Sequence, residues 1–189
     1  MRTAFGGRGA CFGQRGDHGG VELAGPPIRA AVLVPLALHP DGMRVLLTLR
    51  SPHLAAHAGQ VSFPGGRIEP EDPDPVAAAL RETWEEVGIG LSHIEVVGRL
   101  DTYLTGTGFE ITPIVGLVRV PYELVLDPIE VAEAFEVPLA FILDRANHAT
   151  DARDYKGKLR QFSVIRYGRH TIWGATAGML VNLTEVLAP

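Results

Sequence analysis

Two apolar runs divided by a turn constrain this chain more than any other feature. Residues 28–38, IRAAVLVPLAL, and residues 43–50, MRVLLTLR, flank the tetrapeptide His39-Pro40-Asp41-Gly42. Each run suits a buried strand, and the Pro-Asp-Gly between them sets a reversal, so the pair predicts an antiparallel hairpin. After a polar loop, residues 61–63 predict a short strand that Pro64-Gly65-Gly66 breaks. Residues 75–87 predict a helix with sharp limits: Asp74 is the cap, Pro75 takes the first helical position and Gly88 lies just past the end.

Further along, residues 94–100, 111–120 and 161–167 predict strands, while 127–143 mixes acidic and apolar residues at helical spacing. Residues 171–187 carry Ile172, Ala175, Met179, Leu180 and Leu183 as a helix-period stripe that closes the core. Interleaved strands and helices with hairpins among them predict an α/β fold, a mixed β-sheet covered by helices. The chain has 189 residues, 46% of them hydrophobic, enough for one core. Residues 1–25 are rich in Gly, lack periodicity and end at Pro26-Pro27, which predicts a flexible N-terminal arm before a domain at 26–189.

Several classes are excluded by composition. No apolar stretch is long enough for a membrane span, and the N-terminus lacks the pattern of a signal peptide. The single cysteine, Cys11, has no internal partner, which fits a soluble protein of the reducing cytoplasm. A net charge of -5 without any Lys/Arg run argues against nucleic acid as a partner. An anionic ligand must then be held by local groups.

Such groups gather on the helix. At about 100° per residue, Glu82, Glu85 and Glu86 share an arc of roughly 100°, while Val76, Leu80, Thr83, Trp84 and Val87 form an opposite stripe expected to anchor the helix. Like charges at these spacings repel, and Arg81 alone offsets little of that. A bare E-x-x-E-E is ordinarily a solvated face; here the preceding Gly65-Gly66 allows main chain to approach a ligand closely. Hard oxygen donors of this kind suit Mg²⁺ or Mn²⁺, which bridge to substrate phosphates.

The stretch GGRIEPEDPDPVAAALRETWEEVGI, residues 65–89, resembles the Nudix pattern of Gly, five residues, Glu, seven residues, then R-E-U-x-E-E-x-G-U, where U is aliphatic. Arg81, Glu82, Glu85, Glu86, Gly88 and Ile89 match. Asp72 stands in place of the first Glu with one extra residue before Arg81, which leaves Asp72, Glu71 and Glu69 as candidates for the upstream acid; Thr83 fills an aliphatic position. The resemblance implies a Nudix-type α/β/α sandwich with a mixed sheet. It also implies that Glu82 and Glu86 ligate a divalent metal, that Glu85 is a further ligand or the proton acceptor, and that Arg81 orients the glutamates.

Upstream, LLTLRSPHLAAHAGQVSFPGG at residues 46–66 resembles the signature of the coenzyme A diphosphatase branch, LLTxRSxxLRxHxGxVxFPGG, with Ala55 in place of the expected Arg. The later IWGATAGML at 172–180 is similar to the same branch. Arg50 is suited to fork onto a phosphate, Ser51 and His57 to donate to one, and Gly65, Gly66 and Arg67 to border it. The reaction implied is metal-dependent hydrolysis of coenzyme A, or a derivative, to 4'-phosphopantetheine and adenosine 3',5'-bisphosphate. A nucleotide-sugar or ADP-ribose pyrophosphatase and a catalytically silent nucleotide-binding module are the alternatives. Trp84 is expected in the core; Trp173 is left between packing and base stacking.

Overall fold

A computed structural model describes residues 13–16, 25–155 and 158–188 of the chain. Strand β1 (Gln14–Gly16) precedes β2 (Ile28–His39) and β3 (Gly42–Arg50), and the last two form the expected hairpin, with Leu36 opposite Val45 and His39 opposite Gly42. Then come β4 (Val61–Ser62), β5 (Gly65–Arg67), α1 (Pro75–Val87), β6 (Ile94–Arg99), β7 (Thr102–Leu104) and β8 (Phe109–Arg119). The remaining elements are β9 (Val131–Pro138), α2 (Leu139–Leu143), β10 (His148–Tyr155), β11 (Lys158–Tyr167), β12 (His170–Trp173) and α3 (Gly174–Leu187). Among the described residues β1 to β9 make one mixed sheet and β10 to β12 a second, antiparallel one. No helix among them is long and apolar enough to cross a membrane.

Strand β2 is the sheet's axis. It runs parallel to β8 over its whole length, from Ile28 beside Phe109 to Leu38 beside Arg119. On its other edge it pairs first with β5, at Ala30 to Val32, and then with β3 from Leu36 onward. Pro35 falls where β2 passes from one partner to the other, so its missing N–H leaves no ladder bond unmade. The unbroken apolar run of β2 is explained by cover on both faces: Ala31 and Leu33 pack on Ala78 and Ala79 of α1, while Val32, Val34 and Leu36 join Leu180 and Leu183 of α3. This is the α/β/α arrangement expected from the sequence.

Two expectations are corrected, and a third, the flexible arm at 1–25, lies mostly outside the described residues. Residues 127–143 do not form one helix: β9 pairs antiparallel with β3, and only Leu139–Leu143 is helical. The predicted helix at 171–187 begins at Gly174, the residues before it belonging to β12, and a hairpin partner, β10, precedes β11. Within the stretch read as a flexible arm, Gln14–Gly16 pairs in parallel with β7, and Arg15 bonds Asp101 at 2.7 Å and Glu185 of α3 at 2.6 Å. Asp101 also accepts from the Gly13 N–H at 2.8 Å.

Candidate active site

Helix α1 starts and stops as its sequence dictates. The Asp74 carboxylate accepts from the Ala77 N–H at 2.8 Å, and Gly88 takes a φ of 73° while its N–H donates to the Trp84 carbonyl. Its buried face, however, is Ala78, Ala79, Thr83, Glu86 and Val87, turned by roughly 80° toward the glutamates from the stripe expected. Trp84 is 56% exposed and Glu86 only 2%. Thr83 fits an aliphatic position because its hydroxyl donates back to the Ala79 carbonyl at 2.6 Å.

Gly66 of β5 leaves room for an acid of α1, and Gly65 lets β5 lie close against β2. A Cβ on Gly65, whose φ is 151°, would stand 2.5 Å from the Ala31 carbonyl oxygen and the Val32 Cα; one on Gly66 would stand 2.5 Å from the Glu82 carboxylate. Without these side chains α1 seats its acids against the strand rather than away from it. The Gly65 N–H donates to Glu86 Oε2 at 3.1 Å, and Arg50 Nη1 lies 3.5 Å from Oε1. Burial pushes the Glu86 carboxyl up to about 8, opposed by Gly65 and Arg50 and reinforced by Glu130 and Glu82. Glu82 is also raised, by burial first, against the pull of Arg81.

Arg81 gathers the outer acids. Its Nε and Nη2 donate to the two Asp72 oxygens at 3.1 and 2.9 Å, and Nη1 donates to Glu82 and Glu85, each at 2.9 Å. Nη2 also reaches the Arg67 carbonyl at 3.2 Å. Of the three upstream candidates, Asp72 is the one the fold brings to Arg81, which holds its carboxyl below the usual range. The extra residue in the spacer is taken up in a turn, where the Asp72 N–H donates to the Glu69 carbonyl and the Glu69 N–H to Asp72 Oδ2.

The upstream signature divides in two. Arg50, at an irregularity in the pairing of β3 with β9, is directed at Glu86, and its Nε is buried without a hydrogen-bond partner among the described residues. Ser51 is buried, and its N–H donates to the Glu130 carbonyl at 2.8 Å while its hydroxyl accepts from the His53 N–H at 3.5 Å. His57 is exposed with a φ of 58°, its Nδ1 at 3.0 Å from Gln60 Oε1 inside the loop. Neither the Ser51 hydroxyl nor the His57 ring has a hydrogen bond to a carboxylate of the acidic cluster among the described residues. The Arg67 guanidinium lies 5.8 Å from the centre of the Phe109 ring.

Glu130 is the residue that sequence reasoning missed. The Asp127 N–H donates to the Glu86 carbonyl at 3.0 Å and the Glu130 N–H to the Asp127 carbonyl at 3.2 Å, so a turn docked on the end of α1 brings Glu130 to the site. Its carboxylate lies 3.9 Å from Arg50 Nη2. Asp127-Pro128 was the available signal, a capping turn inside a stretch read as helix.

The donors fit a hard divalent cation: oxygen ligands, one of them a buried carboxylate whose ionisation burial opposes. Among the described residues no three His, Cys, Asp or Glu groups already converge at ligating distance, and Arg81 holds oxygens of Glu82 and Glu85.

A model of the NUDIX domain matches residues 27–155. The chain belongs to the Nudix family. Two relatives, both called Uncharacterized Nudix hydrolase NudL, come from Photorhabdus laumondii and Escherichia coli K12. The first is 38% identical over 172 residues, 87% of this Nudix chain and 91% of its own. The second is 40% identical over 157 residues, 82% and 80% of the two chains. The Nudix fold is seen again in a MutT/nudix family protein from Enterococcus faecalis, with a TM-score of 0.56 at 18% identity over 88% of this chain and 64% of that one. A C. elegans Ap4A hydrolase has a TM-score of 0.50 at 20% identity over 59% and 80%.

Proposed function

We propose that this Nudix hydrolase cleaves the pyrophosphate of coenzyme A or a derivative in the cytoplasm, with Mg²⁺ or Mn²⁺ held by Glu82 and Glu86, and with Glu85 as a further ligand or the proton acceptor. The observation that carries the chemistry is the meeting of buried Glu86 and partly exposed Glu82 and Glu130 with an arginine, Arg50, that keeps a buried donor without a partner. A bound divalent cation neutralises phosphate charge and acidifies water. Arg81 fixes Glu82 and Glu85, and Glu85, 53% exposed at its side chain, is open to accept the proton of the attacking water. The water oxygen bonds to one phosphorus, the bridging P–O bond breaks, and two phosphate monoesters leave. Arg50 offers its terminal nitrogens, set beside Glu86 and Glu130, to a phosphate oxygen, with Gly65, Gly66 and Arg67 bordering the group.

Coenzyme A as substrate is supported by the signature at residues 46–66, which supplies Arg50 and the Ser51 contact that anchors Glu130. Ser51 acts there through its backbone, and His57 borders the loop. Incubation with coenzyme A and Mg²⁺ or Mn²⁺, with products identified by mass, tests the reading. Adenosine 3',5'-bisphosphate and 4'-phosphopantetheine are expected, with coenzyme A preferred to dephospho-coenzyme A and ADP-ribose. Equal turnover of ADP-ribose would remove coenzyme A as the substrate and leave a general pyrophosphatase; no metal-dependent turnover of any pyrophosphate would remove the enzyme.

A further inference from the structure

The segment IWGATAGML at residues 172–180 assigns a packing task to most of its residues. Ile172 is fully buried in the core with Met179 and Leu180. Gly174 takes a φ of 62° at the start of α3. The Thr176 hydroxyl donates to the Val61 carbonyl at 3.1 Å, and Gly178 admits the Tyr103 ring, which a Cβ there would meet at 2.5 Å. Trp173 is the exception. It points to the opposite side of β12 from Ile172, partly exposed, and pairs across from Val164. Its ring is tilted against Phe162 at 5.5 Å, and the guanidinium of exposed Arg153 lies 5.7 Å from its centre. Register places Asp151 opposite Phe162, so Arg153, two residues on, shares that face.

The location matters as much as the rings. β12 packs on β4. The other side of β4 pairs with β3, where the Arg50 N–H donates to the Gln60 carbonyl at 2.9 Å, and β4 leads on to Gly65 beside Glu86. The aromatic cluster and Arg50 thus flank one short strand. β12 belongs to the second sheet and reaches the first at β4, so a ligand that spans the cluster and Arg50 must cross from one sheet to the other, as an extended nucleotide does.

We propose that Trp173 and Arg153 form the subsite for the adenine nucleotide end of the substrate. The indole is the stacking surface for the base, and Arg153 is the counter-charge for a phosphate on the ribose. This rests on the pyrophosphate-cleaving reading above. It also gives the chain a cation that the loop lacks at Ala55. An indole that merely covered Val164 would not respond to a nucleotide.

Trp84 and Trp173 are the 2 tryptophans of the chain, so Trp84→Phe leaves Trp173 as the sole indole reporter. In that protein, adenosine 3',5'-bisphosphate is expected to quench the emission saturably, AMP to do so more weakly, and 4'-phosphopantetheine to leave it unchanged. Arg153→Gln is expected to erase the difference between the bisphosphate and AMP. Trp173→Leu is expected to raise the KM for coenzyme A about tenfold with kcat held within about twofold. Absent quenching in a Trp84→Phe protein that still cleaves coenzyme A overturns the subsite and spares the activity. Quenching without cleavage spares the subsite and overturns the activity. If Trp173→Leu does not fold, Arg153→Gln at its exposed position decides: an unchanged preference for the bisphosphate rejects the role of Arg153.

Discussion

Gly65 and Gly66 are neighbours in one three-residue strand, yet a methyl group on each should do different damage. On Gly66 the new Cβ meets the carboxylate of Glu82 at 2.5 Å, where ordinary contact begins at 3.4 Å. The obstacle is the far end of a flexible side chain, so it withdraws by about 1 Å, and a displacement of that size at a reacting centre costs about a hundredfold in rate. The fold is nearly indifferent: Gly66 has no positive φ, and the loss of unfolded-chain freedom offsets part of the crowding, so Gly66→Ala should melt within about 1 kcal/mol of the parent. On Gly65 the Cβ meets backbone atoms, Ala31 O and Val32 Cα, at 2.5 Å from a φ of 151°. Nothing there can swing aside, and Gly65→Ala should lose about 3 kcal/mol or more from overpacking and backbone strain. Urea melts and steady-state kinetics on a pyrophosphate that the parent turns over separate the two. Parental kcat/KM in Gly66→Ala would show that the position of Glu82 does not matter to the reaction; equal destabilisation by both changes would refute the steric distinction.

Glu86→Gln is expected to abolish most turnover while the fold survives, measured by kinetics beside circular dichroism. Glu86 binds its proton up to about 8 in the folded chain against 4.5 ordinarily, so in chelator its contribution to stability falls as pH rises between those values, and Glu86→Gln should flatten that decline in pH-dependent melts. Arg50→Lys keeps the charge but loses the fork and the buried Nε, and kcat/KM should drop about tenfold; unchanged kinetics would make Arg50 a bystander. Glu130→Gln should raise the Mg²⁺ concentration needed for half-maximal rate with little change in melting temperature, and an unaltered metal titration would remove Glu130 from the site.

The helix that carries the acids was legible because its punctuation is local: Asp74, Pro75 and Gly88 act within a few residues of themselves. Its rotation was not, since the apolar stripe of Val76, Leu80 and Val87 says nothing of Gly66 on β5, which leaves room for Glu82, or of the Gly65 N–H that meets Glu86. β9 was misread for a similar reason. Its alternation of Val131, Glu133, Phe135 and Val137 competes with a helical spacing of the same residues, and the choice is made by β3, far away in sequence. Pro138 was the local sign against a long helix, and it ends the strand where α2 begins. Glu130 was hidden by the same misreading. Asp72 was undecidable between three acids until a turn at Glu69 presented one of them to Arg81.

The small parallel strand β1 bears on how this chain behaves among other proteins. It lies beyond β7 at one end of the large sheet, where the outermost described strand is three residues long with Arg15 at its middle, while β6 borders β8 along the rest of that flank. A long bare edge is a template on which a second chain adds itself, and short charged edges defeat that addition. Because Arg15 is clasped by Asp101 and by Glu185, which lie far from it along the chain, the guard is fastened both to the sheet and to the final helix. The guard over the β7 end of that flank is therefore a tripeptide inside a glycine-rich stretch whose composition alone suggested no structural duty.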